Sequence, residues 1–410
     1  GVNIRVTGPG AQGARGAVAD ETGFFRVLGL PVGTYEVAIS HVSYQGVRVE
    51  EVTVQLGKTT SLGVLQLQEQ ALGMDEIVVS GGRSLIDPTT ASMGSNLSAY
   101  QDLPIERNFR SMTALVPQAN TSYLGDEVNI SGSTGLENAY YIDGIHVTDP
   151  FRATTSTNLP YNFIREVEIK TGGYEAEYGR SMGGIVNAVT YSGGNEFHGQ
   201  VFGFFTDHRL AGSHRGGAAG TQIGDFATYD AGFSLGGPLV RDRLWFFAAY
   251  NPNFEVSDVV IPGLGVHEDR KTAHLFSGKL TWQASAKTNL ALTVLGDPSN
   301  RNRIGFTFQG MPFPSQLENP DPFLGSIEEG GISFSLKGQH AVSDNLLIDA
   351  SLAQMNRREN DVPGTARGYS DPFDADFTTG IWGGGYGRIW ENDSQRTALK
   401  FGSQKINLHL

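Results

Sequence analysis

In the C-terminal half of this 410-residue chain, the connections between apolar segments alternate strictly between short and long. The short ones are tight turns, at residues 240–243, 284–288 and 342–345. The long ones are polar, at residues 208–225, 257–270, 297–330 and 359–393. Neighbouring strands of an antiparallel sheet run in opposite directions, so this alternation places every long connection at one end of the sheet. Strands that cross a bacterial outer membrane are joined in this way, with long loops outside and short turns in the periplasm.

The segments between these connections alternate apolar and polar side chains, as strands do. In residues 332–337, for example, Ile, Phe and Leu alternate with Ser, Ser and Lys. Eight such segments are recognisable, at residues 197–207, 226–239, 243–256, 271–283, 288–296, 331–341, 346–357 and 394–404. A soluble sandwich with one wet face shows the same alternation. Because a soluble domain has no reason to collect its long loops at one end, the pattern favours a membrane barrel with lipid outside and a polar lumen.

Composition excludes several other functions. The formal net charge of -13 argues against nucleic acid, which needs a cationic surface. The chain has no Cys, which excludes disulfides, thiolate metal sites and cysteine nucleophiles. No apolar run approaches the ~20 residues of a membrane-spanning helix.

Side chains that could support catalysis or bind a metal are scattered. The nine His residues include no pair at the i, i+4 spacing of a helical metal site. Asp143 precedes Gly144, and an Asp-Gly pair between two apolar runs is typical of a turn rather than of a general base. We therefore expect no enzymatic activity, no cofactor and no metal.

Residues 1–68 are predicted to form a small β-sandwich, with strands at residues 2–6, 24–27, 35–39 and 49–55. The unit resembles the carboxypeptidase-regulatory-like domain through Asp20, Gly23, Phe25, Leu30, Pro31, Gly33, Tyr35 and Val37. That family is a β-sandwich without catalytic activity. Its usual first strand is missing, so we interpret the chain as a fragment that is truncated at both ends.

Residues 95–195 are predicted to form a mixed α/β unit. A short helix is expected at residues 108–115, before Pro117. A hairpin around Asp143-Gly144 follows, and strands are expected at residues 164–170 and 185–191.

The order and spacing of motifs in this unit resemble the plug domain of TonB-dependent outer-membrane receptors. The matching residues are Asp143, Gly144, Glu168, Gly172, Gly173, Tyr178, Gly179, Gly183, Gly184 and Asn187. Most of that family has an Arg-Gly-Pro run where this chain has Lys170-Thr171-Gly172-Gly173, a feature similar to the Oar-like branch. The glycines are expected either to pack closely against the barrel wall or simply to form turns.

A short segment in the connector at residues 69–94 resembles a TonB box. It comprises Asp75, Glu76, Ile77, Val78, Val79 and Ser80. By composition alone it is an ordinary β-forming segment. The resemblance implies a flexible peptide that pairs by strand addition with a TonB-like periplasmic energy transducer.

The resemblance implies a mainly β protein with four parts: an incomplete sandwich at 1–68, a linker at 69–94, a plug at 95–195 and the first eight strands of a transmembrane barrel at 196–410. An eight-stranded barrel has room only for its own side chains, so a barrel around a plug needs about 22 strands. The implied location is the outer membrane of a Gram-negative-type bacterium, in contact with its lipid, with the N-terminal unit in the periplasm.

The implied function is the import of an unknown extracellular ligand through the plugged barrel. Ligand contacts are expected at the outward ends of the plug, residues 118–127 and 146–161, with Tyr123, Arg152 and Tyr161 as candidates. Two alternatives remain open: an Oar-like surface protein for adhesion or secretion, and a soluble carbohydrate-binding sandwich protein.

Aromatic side chains cluster at Trp245, Phe246, Phe247 and Tyr250. Near a strand end they are typical of an interfacial girdle, and the alternative is a buried aromatic core.

Overall fold

The computed structural model describes residues 1–8, 15–56, 58–69, 77–80, 92–96, 107–120, 128–174, 178–179, 181–210, 223–261, 265–304, 316–343 and 346–405. Strands dominate these residues, as the sequence predicts. No helix among them is long and apolar enough to cross a membrane.

The N-terminal unit is a five-stranded sheet. Its strands are β1 (Asn3–Thr7), β2 (Arg15–Val18), β3 (Gly33–His41), β4 (Tyr44–Val54) and β5 (Ile77–Ser80), in the order β2-β1-β3-β4-β5. Alternate side chains of the central strands, such as Ile4, Val37 and Val49, form one buried cluster. β5 comes from the box-like segment and pairs in parallel with β4.

The strand expected at residues 24–27 is wrong. This segment is extended but carries no ladder, because its backbone closes a turn: Phe24 N–H donates to the Asp20 carboxylate and Asp20 N–H donates to the Phe24 carbonyl. Phe25 and Val27 still pack on the core, which explains the alternation that suggested a strand. The strand missed instead is β2, whose sequence Arg-Gly-Ala-Val has almost no apolar alternation.

The plug unit is built on a second five-stranded sheet in the order β10-β9-β12-β11-β6. Its elements are β6 (Ser92–Asn96), a 3-10 helix (Phe109–Leu115), β7 (Ala119–Asn120), β8 (Asn129–Ile130), a 3-10 turn (Gly135–Glu137), β9 (Ala139–Ile142), β10 (Ile145–His146), a 3-10 turn (Tyr161–Phe163), β11 (Ile164–Lys170) and β12 (Ile185–Thr190). The helix expected at 108–115 is present, in 3-10 form. Asn108 caps it by accepting a hydrogen bond from Ser111 N–H, and Phe109 points into the core.

The remaining strands form a third, larger system. They are β13 (His198–Asp207), β14 (Ile223–Val240), β15 (Leu244–Ile261), β16 (Gly265–Ser285), β17 (Thr288–Gly296), β18 (Ser299–Ile304), β19 (Gln316–Leu317), β20 (Leu324–Gly330), β21 (Ile332–Ser343), β22 (Leu346–Pro363), β23 (Phe373–Asp376), β24 (Ile381–Gly384) and β25 (Trp390–Lys405). Three short helical segments lie between them: 3-10 turns at His208–Leu210 and Asp321–Phe323 and helix α1 at Ala366–Ser370. Apart from β19, β23 and β24, these strands make one antiparallel C-terminal sheet, and in the described residues its two edges, β13 and β25, do not pair with each other.

Two strand positions in the C-terminal sheet are interrupted. β17 lies between β16 and β21, and β18 continues it between β16 and β20. The second interrupted position consists of β20 and β21. Both pair with β22, β21 along its first half and β20 beyond it. The breaks fall at Asp297–Pro298 and at Gly331. Counting each interrupted pair once, the described residues of the sheet form eight strands, which correspond to the eight segments that the sequence predicts.

The connections confirm the alternation of tight turns and long excursions, with two corrections. The two ends of the long loop expected at residues 297–330 belong to strands, β18 and β20. The turns after β14, β16 and β21 are tight, as expected. The long loop expected at residues 257–270 is wrong, because β15 and β16 pair without a break from Leu244↔Trp282 to Ile261↔Gly265. Two of the other excursions carry a small separate sheet, β19-β24-β23.

The two faces of the C-terminal sheet differ as predicted. On β21, Leu336 is 47% exposed while Ser335 is 3% exposed. The same holds on β16, where Leu280 and Trp282 are exposed and Ser277 and Thr281 are buried. The aromatic girdle is only partly correct: Phe246 and Tyr250 lie on the outer face, whereas Trp245 and Phe247 are buried on the inner one. The inner face packs against the plug unit, and Phe247, Leu295 and Met355 join its core.

Candidate functional site

The hairpin of β9 and β10 is one of the places where the plug unit contacts the sheet. Asp143 and Gly144 have positive φ angles of 49° and 83°, the turn that an Asp-Gly pair adopts most readily. The Asp143 carboxylate accepts hydrogen bonds from the backbone N–H and the side-chain hydroxyl of Thr190 at the end of β12. The hairpin tip is therefore held by contacts within the plug unit itself, in addition to its contacts with the sheet.

Lys279 on β16 completes this contact. Its Nζ lies 2.8 Å from Asp143 Oδ1 and 3.1 Å from the Thr190 carbonyl oxygen. Both side chains of the pair are only 7% exposed. Because a buried charge without its partner is costly, this ion pair specifies where the hairpin sits on the wall. The sequence analysis missed Lys279, although a Lys at an inward position between Ser277 and Thr281 is a usable signal.

A second buried ion pair lies closer to the end of the sheet that carries the long loops. Asp149 accepts hydrogen bonds from the backbone N–H groups of Phe151 and Arg152, which fixes a sharp bend after β10. Arg357 on β22 places its Nε 3.0 Å from Asp149 Oδ2 and donates to the Ser156 carbonyl. The segment from Asp149 to Ser156 is thus held against β22.

Arg152, predicted to contact ligand, lies beside this second pair. Its guanidinium forms an ion pair with Glu359 of β22 and keeps 40% of its side chain exposed. It also lies 5.9 Å from the ring of Trp390, which packs against Phe151 at 5.6 Å. The structure therefore brings a cation and two aromatic rings together near the start of β25.

A polar cavity of about 320 Å³ separates residues 154–158 from the wall next to these contacts. Lys271, Asp297 and Arg357 are among its lining residues. Asp297, at the break between β17 and β18, accepts hydrogen bonds from Asn158 N–H at 2.7 Å and Gly331 N–H at 3.3 Å. The strand break is therefore used to hold the plug.

Tyr161, the other described ligand candidate, is 5% exposed. Its ring lies 5.5 Å from the guanidinium of Arg107, which also forms an ion pair with Asp230 on β14 and donates to Asn162. Tyr161 is thus packed inside the protein and has no exposed face for a ligand. Tyr123 lies outside the described residues.

The glycines of the plug motif fall into three groups. A Cβ on Gly183 or Gly184 would collide with Asn138 and Ser133 or with Ile130, so these two glycines allow close packing. That packing is inside the plug unit, and the expected packing against the barrel wall is wrong for both. Gly172 and Gly179 face open space. Gly173 takes the turn role, with a φ of 62°.

The other motif residues lie on the sheet of the plug unit. Glu168 on β11 is buried 3.8 Å from Lys170, and Asn187 on β12 lies opposite it in the register. Tyr178 packs edge-on against Tyr141 and lies 4.9 Å from the Lys170 ammonium.

Glu166, at the other end of β11, faces the N-terminal unit. Its carboxylate accepts a hydrogen bond from Leu56 N–H at 3.3 Å. Burial is the main cause that raises the pKa of Glu166 to about 7. The preceding residue, Arg165, packs against Gly33, where a Cβ would collide with its guanidinium. The N-terminal unit is therefore in direct contact with the plug unit.

The described residues contain no cluster of three or more potential metal ligands. Of the box-like residues, Asp75 and Glu76 lie outside the described residues, and Ile77, Val78, Val79 and Ser80 form β5.

Comparison with known proteins agrees with this arrangement. Three family models match: a carboxypeptidase regulatory-like domain at residues 1–68, a TonB-dependent receptor plug domain at 90–185 and an outer membrane beta barrel domain at 189–259. The TonB-dependent transporter Oar of Myxococcus xanthus is 29% identical over 426 residues, which cover 90% of this chain and 39% of the relative. The chain is a homologue of the TonB-dependent outer-membrane receptors. It lies in the outer membrane of a Gram-negative bacterium.

The chain also matches part of a probable TonB-dependent siderophore receptor, PirA, of Acinetobacter baumannii, with 30% identity over 33% of this chain and 17% of the relative. The chain thus spans less than half the length of either relative.

Solved structures show the same fold. The outer membrane transporter YddB from Escherichia coli has a TM-score of 0.61 at 14% identity, over 78% of the receptor chain and 46% of its own. The siderophore receptor PirA from Acinetobacter baumannii has a TM-score of 0.50 at 17% identity, over 76% and 45%. At these identities the likeness concerns the fold alone.

Proposed function

We propose that the receptor binds an extracellular ligand and imports it through the barrel with energy supplied by a TonB-like periplasmic protein. The observation that carries this proposal is the folded plug unit, fixed to the inner face of lipid-facing strands by buried ion pairs of Asp143 with Lys279 and Asp149 with Arg357. A lumen closed in this way stays closed until work is done on the plug. The receptor is proposed to act by transport without covalent chemistry.

The ligand is proposed to bind where the plug meets the long-loop end of the wall. Phe151, which is 65% exposed, lies there beside the half-buried ring of Trp390 and the Arg152 cation. Arg152 is retained as a ligand contact because it is partly exposed and can exchange Glu359 for an anionic group of the ligand. Tyr161 is not retained, since it is buried, and Tyr123 remains a prediction.

Residues 75–80 are proposed as the site of the periplasmic partner. The glycines and the Asp143-Gly144 turn of the plug motif are assigned to packing and to the plug–wall contact, rather than to ligand binding. We also propose domain boundaries near residue 68 and just before residue 92, because β6 already pairs with β11 ahead of the boundary expected at 95.

The test is import by cells that carry the full-length receptor, with and without residues 75–80. The deletion is expected to abolish receptor-dependent removal of small molecules from the medium, followed by untargeted mass spectrometry. A matched control replaces residues 84–89 of the same connector with Gly and Ser and should import normally. Unchanged depletion in the deletion strain would contradict energy-coupled transport, and retained cell adhesion in that strain would favour a surface-adhesion role.

A further inference from the structure

The edge of β4 in the N-terminal unit is covered by the chain that follows this unit. At one end of β4, Gln45 N–H donates to the Gln68 carbonyl and Tyr44 forms a bridge with Glu69. From Val47 to Glu50 the same edge pairs in parallel with β5, in the register Val47↔Ile77 to Glu50↔Ser80. The pairing ends where Glu51 takes a φ of 60° and β4 bulges. Residues 77–80 of the box-like segment are therefore an extended strand of a folded unit.

β5 is attached to this unit through its backbone. Val78, the β5 residue whose side chain the structure describes, is 58% exposed and lies outside the core of the unit. In the part of the chain that the structure describes, β5 is the last strand of its sheet, with no strand on its outer edge. An unpaired edge of this kind is a template for strand addition.

The N-terminal unit itself is held at the end of the C-terminal sheet that carries the tight turns. Leu56 donates to Glu166, and Arg165 packs on Gly33. Gly29 faces Gln339, four residues before the end of β21 at Ser343. In the proposed orientation these turns face the periplasm, so β5 is displayed on the side from which an energy-transducing partner arrives.

We propose that the N-terminal unit presents the box, and that a strand of the TonB-like partner adds to the outer edge of β5 while β4 keeps the inner edge. This inference rests on the transport function proposed above. The backbone of the four residues of β5 is already ordered, so the partner does not have to order them on binding. Displacing β4 would cost the existing ladder, whereas addition to the free edge leaves it intact.

The decisive experiment locks β5 onto β4. Arg48 and Val78 lie opposite each other in the register, and these 410 residues contain no Cys, so the double variant R48C/V78C places one defined disulfide in this part of the receptor. Binding of the purified periplasmic domain of the host's TonB protein is measured by surface plasmon resonance, oxidised and reduced. Affinity is expected to differ by less than about twofold between the two states. R48C alone is the matched control.

A large loss of affinity in the oxidised state, restored by reductant, would show that the partner needs the β4 edge. This result would overturn the proposal that the N-terminal unit presents the box. In the same assay, deletion of residues 75–80 should abolish binding. If it does not, the partner site proposed above fails as well, so the two failures are distinguishable.

A second variant tests preorganisation from the opposite side. Deleting residues 1–68 leaves residues 75–80 intact but removes β4. If the N-terminal unit presents the box, the affinity for the TonB-like partner should fall at least about tenfold, because the partner must then order the strand itself. Tighter binding after the deletion would mean that the unit masks the box, and would contradict the proposal.

Discussion

At the scale of single residues, the plug is positioned by charges that sit where strands of the wall are otherwise small and neutral. Lys279 lies between Ser277 and Thr281, and all three are buried against the plug unit. Asp143 serves two purposes, as a turn residue and as the partner of Lys279. The polar side chains on the inner face near the plug therefore have two roles. Most of them fill the space between wall and plug, and a few charged ones fix the position of the plug.

Replacement of Lys279 by Met is predicted to leave the Asp143 carboxylate buried without its cation. Removing one partner of a buried pair costs about 3–5 kcal/mol, so the free energy of unfolding of the plug should fall by this order. Urea unfolding of the detergent-solubilised full-length receptor, followed by Trp fluorescence, measures the change.

The double variant D143N/K279M removes both charges and keeps a residue that tolerates the positive φ, so it should recover part of the loss. Lys337→Met, at an exposed position of β21, should change stability little. If K279M behaves like Lys337→Met, the buried pair does not hold the plug.

At the scale of elements, β11 is central, because its two ends face different partners. Glu166 meets the N-terminal unit, whereas Glu168 and Lys170 lie deeper in the plug unit. The folded pKa of Glu166, about 7, exceeds its ordinary value of 4.5 because burial disfavours the charged form. The folded state therefore holds this proton more tightly than the unfolded state.

The contact between the N-terminal unit and β11 is accordingly predicted to depend on pH. The stabilisation linked to this proton is complete below about pH 4.5 and is lost as pH rises through about 7. Hydrogen exchange of the Leu56 amide, corrected for its intrinsic rate, should show falling protection over this range. Glu166→Gln, which keeps an acceptor oxygen but does not titrate, should remove the dependence; an unchanged pH profile in this variant would refute the assignment.

Elements with a strong periodic signal could be predicted from the sequence. The eight wall strands, the Asp143-Gly144 hairpin, β11 and β12 all follow from alternation or turn chemistry. The failures have physical reasons. Residues 24–27 alternate because one face packs on a core, but their backbone is used in a turn, and residues 257–270 show no apolar alternation although β15 and β16 pair through them.

The candidate site was less accessible from the sequence, because its pairs join residues far apart in the chain. Asp143 is 136 residues from Lys279, and nothing local connects them. Pairing of β5 with β4 was equally hidden, since a short run of Ile and Val indicates a strand but not its neighbour.

At the scale of the whole molecule, the C-terminal sheet separates two environments. Its outer face carries Phe334, Leu336, Leu280 and Leu352, all exposed and apolar, and its inner face carries the plug contacts. This division fits a wall with lipid on one side and a folded domain on the other.

A charge in the middle of the outer face is therefore predicted to impair membrane assembly. Leu336→Lys lies midway along β21 and should cost about 2–4 kcal/mol, whereas Val342→Lys, close to the tight turn, should cost about 0–1 kcal/mol. The folded fraction in outer membranes is measured from the heat-dependent shift in electrophoretic mobility. Equal assembly of the two variants would argue against lipid at this face.

The ion pairs of Asp143 and Asp149 have a mechanical consequence. The two carboxylates are six residues apart in the chain, yet their partners Lys279 and Arg357 belong to different strands and lie at different heights of the wall. A downward force on this part of the plug would act on both ion pairs. β6, by contrast, is an edge strand joined to one neighbour, and a force applied through the preceding peptide can strip it bond by bond. We therefore expect any opening of the plug to start at β6, while the hairpin of β9 and β10 stays in place.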